Sequence, residues 1–95
     1  MNIQYEIALS VVKDYAEYLN FTYELYGYDT ERFSYCKWAV SEVLKCLEYN
    51  QTSAPLFVIE NFRDKMKEYS RMNQKSKIIF SAAYETAEEI IDLFM

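Results

Sequence analysis

The sequence predicts an all-α fold: a small four-helix bundle, up-down and antiparallel, with dimeric packing open to it. Three observations carry this. Apolar residues recur at three- and four-residue spacing along most of the chain, the period of a helix face rather than of a strand. Gly27 is the only glycine and Pro55 the only proline, whereas an all-β chain of 95 residues needs many turns rich in both. The periodic runs are separated only by short polar stretches, and short connections make consecutive helices antiparallel neighbours. An irregular arrangement, with the first two helices paired against a hairpin of the last two, is the alternative. The length is that of one domain, residues 1–95.

The first helix is expected over residues 3–26. At 100° per residue, Ile7, Val11, Tyr15, Tyr18, Leu19, Thr22, Leu25 and Tyr26 fall on its core face, with Glu6, Lys13, Glu17, Asn20 and Glu24 opposite. Gly27 stands where a left-handed C-terminal cap is wanted. Residues 15–28, YAEYLNFTYELYGY, hold five tyrosines and one phenylalanine. A base-stacking platform would interleave such rings with Arg or Lys. This stretch has neither, so its rings read as wall and rim of the core.

The second helix is expected over 31–49, capped by Thr30 or Asp29, with Glu31 favourable in its first turn. Its core stripe is Phe33, Cys36, Val40, Val43, Leu44 and Leu47. The third, over 54–72, is capped by Ser53 and tolerates Pro55 in its first turn, where a missing N–H costs nothing. It should bury Leu56, Ile59, Phe62, Met66 and Tyr69. The fourth, over 76–94 and capped by Asn73 or Ser76, should bury Phe80, Ala83, Tyr84, Ala87, Ile90, Ile91 and Phe94. Ala82, Ala83 and Ala87 are small enough for close helix approach.

Composition narrows the function. The chain is 52% hydrophobic with 10 Tyr, 6 Phe and 1 Trp, more apolar material than a small sphere easily hides, which points to self-association. The net charge of −5 argues against a general nucleic-acid or anionic-membrane binder. Histidine is absent, which removes Ser–His and Cys–His pairs and the commonest general base. One glycine cannot make a phosphate-binding loop. Cys36 and Cys46 on one helix lie about 15 Å apart, beyond the roughly 7 Å a disulfide spans. Two lone thiols and the lack of a basic leader indicate a reducing cytoplasm. Cys36 falls on the apolar stripe and Cys46 at its edge, so both read as structural thiols rather than nucleophiles. No catalytic, cofactor or metal residues are assigned.

Three surface features remain. Glu85, Glu88, Glu89 and Asp92 share the polar face of the last helix and read as a solvated face, near a helix C-terminus that disfavours them. Arg63, Lys67, Arg71, Lys75 and Lys77 form a basic segment across residues 63–77, a candidate contact surface for phosphates or an acidic partner. Trp38 and Tyr49 lie off the core stripe of the second helix, with Glu42 and Lys45 between them and Tyr35 at the border. Phe57, Ile78, Ala82 and Leu93 are also off-stripe. Exposed Trp and Tyr are enriched at protein interfaces, so Tyr35, Trp38, Glu42, Lys45 and Tyr49 form the candidate interaction surface. A second buried face of that helix is the competing reading for Trp38.

The second half, with Pro55-Leu56, Phe62, Met66 and Tyr69, and Ile79-Phe80-Ser81 and Tyr84, resembles small uncharacterised all-helical proteins of Gram-positive bacteria, often carried on mobile elements. The resemblance implies a helical fold and no activity. The expected function is a non-catalytic protein–protein interaction module in the cytoplasm, as a homodimer or with another protein partner. An acidic inhibitor or nucleic-acid mimic docking on a basic protein is the alternative. Nucleic-acid contact through 63–77 comes third.

Overall fold

The computed structural model describes residues 3–26, 30–72, 74 and 76–94 and forms them into four helices: α1 Ile3–Tyr26, α2 Thr30–Tyr49, α3 Pro55–Met72 and α4 Lys77–Asp92. No strand occurs among the described residues. The fold is the expected all-α four-helix bundle, and every helix end falls within two residues of its sequence-derived position. None of these helices is long and apolar enough to cross a membrane.

The helix starts follow local chemistry, with two differences from expectation. Pro55 is the first residue of α3, and the Val58 N–H donates to the Ala54 carbonyl at 3.1 Å, so Ala54 rather than Ser53 holds the capping position. Ser53 instead donates its N–H to Asn50 in the preceding turn, at 3.0 Å. Ser76 does precede α4, but in helical geometry (φ −94°, ψ −2°) and without a side-chain capping bond. α4 closes by tightening: the Leu93 and Phe94 N–H groups donate to Ile90 and Ile91 at 3.1 and 2.9 Å, satisfying carbonyls that would otherwise be orphaned. The caps assigned to Gly27, Asp29 and Asn73 lie outside the described residues, as does Tyr28. So does the side chain of Tyr26.

α3 and α4 pack most extensively, as a hairpin, and α4 then lies against α2. α1 rests mainly on α2 and touches α3 and α4 least. The core is built from Val40, Val43 and Leu47 of α2, Val58, Ile59, Phe62 and Met66 of α3, and Ala83, Ala87, Ile90 and Ile91 of α4. Each fully buried aliphatic side chain contributes about 1.5–3 kcal/mol. Ala82, expected to point away, is fully buried, and beside it the Thr86 hydroxyl donates to the Ala82 carbonyl at 2.8 Å. The reason is that α4 is covered from two sides, by α3 and α2, so its buried arc is wider than one stripe. The three small alanines allow that double approach.

α1 departs most from the sequence reading. It buries Ala8, Val12 and Tyr15, with Tyr5, Leu9, Ala16 and Leu19 packed behind them. Ile7, Tyr18 and Leu25, assigned to the core, are exposed, and Val11 and Thr22 are only half-buried. Apolar side chains cover about two thirds of this helix's circumference at 100° per residue. Only part of that sector meets α2. Tyr69 of α3, also assigned to the core, is likewise exposed at its edge.

Candidate functional site

Along α2, Tyr35, Trp38, Glu42, Lys45 and Tyr49 occupy one stripe at alternating three- and four-residue spacing. Trp38 is 40% exposed, and its ring meets Phe80 of α4 edge-on at 6.3 Å. Phe80 in turn meets Tyr69 of α3 at 5.3 Å. Trp38 therefore belongs to an aromatic cluster that joins three helices while keeping one edge in solvent. The rest of the stripe is less available. The Tyr35 hydroxyl donates to Glu31 at 2.6 Å and the Lys45 ammonium lies 3.5 Å from Glu42. Tyr49, at the helix end, is 86% exposed.

The basic segment divides in two. Arg63 is drawn into acidic company, with Asp64 at 3.1 Å, Glu88 at 3.4 Å and Glu60 at 4.0 Å. Lys67, Arg71 and Lys77 instead line a groove of about 530 Å³ between α3 and α4, with Ser70, Gln74, Ser81, Tyr84 and Glu85. The Lys67 ammonium sits 5.9 Å above the Tyr84 ring. Lys75 lies outside the described residues. Three of the five predicted cations thus share one groove, and Arg63 is occupied elsewhere.

The acidic residues of α4 are not a simply solvated face. Glu88 reaches Arg63 of α3, Glu85 pairs with Arg32 of α2, and Glu89 accepts the Tyr15 hydroxyl of α1. Three carboxylates on one helix thereby fasten it to each of the other three. Tyr15, Arg32, Glu85 and Glu89 border a cleft of about 310 Å³ with Phe33, Cys36 and Thr86. Burial, followed by the bond to Glu89, holds the Tyr15 phenol well above its usual range. The bond to Glu85 raises Arg32 further. Burial, then Glu42, pushes the Cys46 thiol up, away from a reactive thiolate. These groups satisfy one another, so the cleft works as a clasp between helices. Spacing within one helix could not reveal it, because its partners are up to 74 residues apart.

Among the described residues, α1 carries more exposed large apolar side chains than any other helix, three of them at positions expected in the core. Ile7, Val11, Asp14, Tyr18, Phe21 and Leu25 follow one another at spacings of four and three. At 100° per residue they occupy an arc of about 80°. Leu93, just past the end of α4, borders it, lining with Val11, Asp14, Tyr15, Tyr18 and Glu89 a groove of about 570 Å³. Ile7, Tyr18, Phe21, Leu25 and Leu93 are each 56–63% exposed. The heptad spacing is the signal that could have found this stripe. It is the spacing by which one helix packs against another, and among the described residues no helix covers it. No protein-family profile, curated protein or solved structure matches the chain.

Proposed function

We propose that the chain is a non-catalytic protein–protein interaction module acting as a homodimer or with a protein partner in a reducing cytoplasm, with the exposed face of α1 as its main docking surface. The observation that carries this is the stripe of largely exposed aliphatic and aromatic side chains from Ile7 to Leu25, interrupted by Asp14 and bordered by Leu93. Isolated apolar side chains on a surface need no explanation, but a contiguous row at helix-packing spacing marks an interaction site. The Trp38–Phe80–Tyr69 cluster is a smaller second surface, already half satisfied within the fold. The polar groups bordering the α1–α2–α4 cleft are engaged with one another, which favours scaffold over chemistry.

The test is photo-crosslinking from Phe21. With that residue replaced by benzoylphenylalanine, irradiation in the producing cells should give discrete adducts heavier than the 11.4 kDa chain. The same probe at Glu24, on the polar face of α1, should not. Equal labelling from both positions, or none from Phe21, would remove the reading.

A further inference from the structure

We propose that a second copy of this chain covers the α1 seam, with the two α1 helices antiparallel about a two-fold axis that crosses the seam at the level of residue 16. This rests on the reading of α1 as a docking surface and goes beyond it by naming occupant and register. In this register Ile7 faces the partner's Leu25, Val11 faces the partner's Phe21, and Asp14 faces the partner's Tyr18. The aliphatic residues and Phe21 thus meet one another, and the small Val11 lies opposite the large Phe21. The groove lined by Val11, Tyr18 and Leu93 offers that ring a place. The one charged residue of the seam, Asp14, finds a phenol that donates to its carboxylate.

The polar pair selects the direction. A parallel, in-register dimer would bring Asp14 against the partner's Asp14 inside the seam, two carboxylates with no cation between them, an arrangement that disfavours association. Antiparallel pairing gives the same carboxylate a hydrogen-bond donor. Across the axis Glu17 approaches the partner's Glu17, and Lys13, one turn earlier on each helix, supplies the balancing charge. Area is also adequate. Five large side chains more than half exposed offer about 100 Å² each, about 500 Å² together, on the usual size of such groups. Val11 and the flanking stems bring the face toward the roughly 800 Å² per partner of a specific interface.

The test uses the full chain with Cys36→Ser and Cys46→Ser, carrying either Ile7→Cys or Leu25→Cys. In the proposed register these two positions meet each other, while each lies about 27 Å from its own copy, far outside disulfide reach. Mild oxidation of the mixed variants should give a cross-linked dimer, and oxidation of either alone should not. Light scattering of the wild type at tens of micromolar should give twice 11.4 kDa. Tyr18→Glu should weaken dimerisation at least tenfold with helicity retained, since Tyr18 is exposed in the monomer. Self-cross-linking of Ile7→Cys would establish parallel pairing and overturn the proposal. A monomeric wild type that still gives Phe21 photo-adducts with another protein would overturn self-pairing and leave the interaction reading standing. A monomer without adducts would remove both.

Discussion

Tyr15→Phe removes one oxygen and tests the clasp between α1 and α4. Tyr15 is 6% exposed, and its hydroxyl donates to Glu89 across 74 residues of chain. Glu89 is itself exposed, so water replaces the lost donor, and the cost at neutral pH should sit near the ordinary value of about 1 kcal/mol for one hydrogen bond. For a domain of this size that lowers Tm by about 4–8 °C. The pH dependence is more diagnostic. The folded phenol is held well above its usual pKa by burial first and Glu89 second, whereas in the unfolded chain it ionises near the ordinary value of about 10. A group with a raised folded pKa contributes fully below the unfolded value and loses its contribution as pH rises beyond it. Wild type should therefore lose about 1.4 kcal/mol per pH unit above about pH 10 through this group alone. Phe has no proton to lose, so the difference between wild type and variant should shrink from about 1 kcal/mol at pH 8 to nothing near pH 11. Urea unfolding followed by circular dichroism, at one fixed protein concentration from pH 8 to 11.5, measures it. A difference that stays constant over that range would refute the buried, carboxylate-bound phenol.

Other substitutions probe the remaining contacts. Ala87→Leu adds bulk at a fully buried position of α4, the helix that packs on both α3 and α2, and should cost about 1–3 kcal/mol by overpacking, read as a lower urea midpoint at unchanged slope. Trp38→Ala removes the edge contact with Phe80 but also much solvent-facing surface, so it should destabilise by about 1–3 kcal/mol without unfolding the chain. An unfolded variant would mean that Trp38 is core. A double-mutant cycle on Arg32 and Glu85, both largely exposed, should give a coupling of about 0.2–1 kcal/mol that fades in 1 M salt. If the groove of Lys67, Arg71 and Lys77 contacts nucleic acid, affinity must fall steeply with salt. No gel shift at low salt would remove that reading.

Much of the architecture was legible in the sequence. One glycine, one proline and sustained helical periodicity suffice for four helices with ends placed within two residues. Val40, Val43 and Leu47 of α2 and Ile59, Phe62 and Met66 of α3 followed from period alone, whereas buried Ala39 and Val58 lay off the expected stripes. The off-stripe position of Trp38 was visible too, as an apolar residue outside the expected stripe. The ties from Glu85, Glu88 and Glu89 to Arg32, Arg63 and Tyr15 were not visible. They join residues on different helices, and periodicity describes one helix at a time.

α1 and α4 mark the boundary between the two kinds of knowledge. On α4 the sequence determined three small residues, and only the packing of two neighbours against one helix made Ala82 part of the interior. On α1 it determined an apolar sector covering most of the circumference, wide enough for two partners, but not which arc the rest of the chain would cover. Burial depends on how many neighbours a helix has and at what angles they approach, and the tertiary structure supplies α2 as the principal one. Ala8, Val12 and Tyr15 turn into the core, and the stripe from Ile7 to Leu25 is left largely exposed.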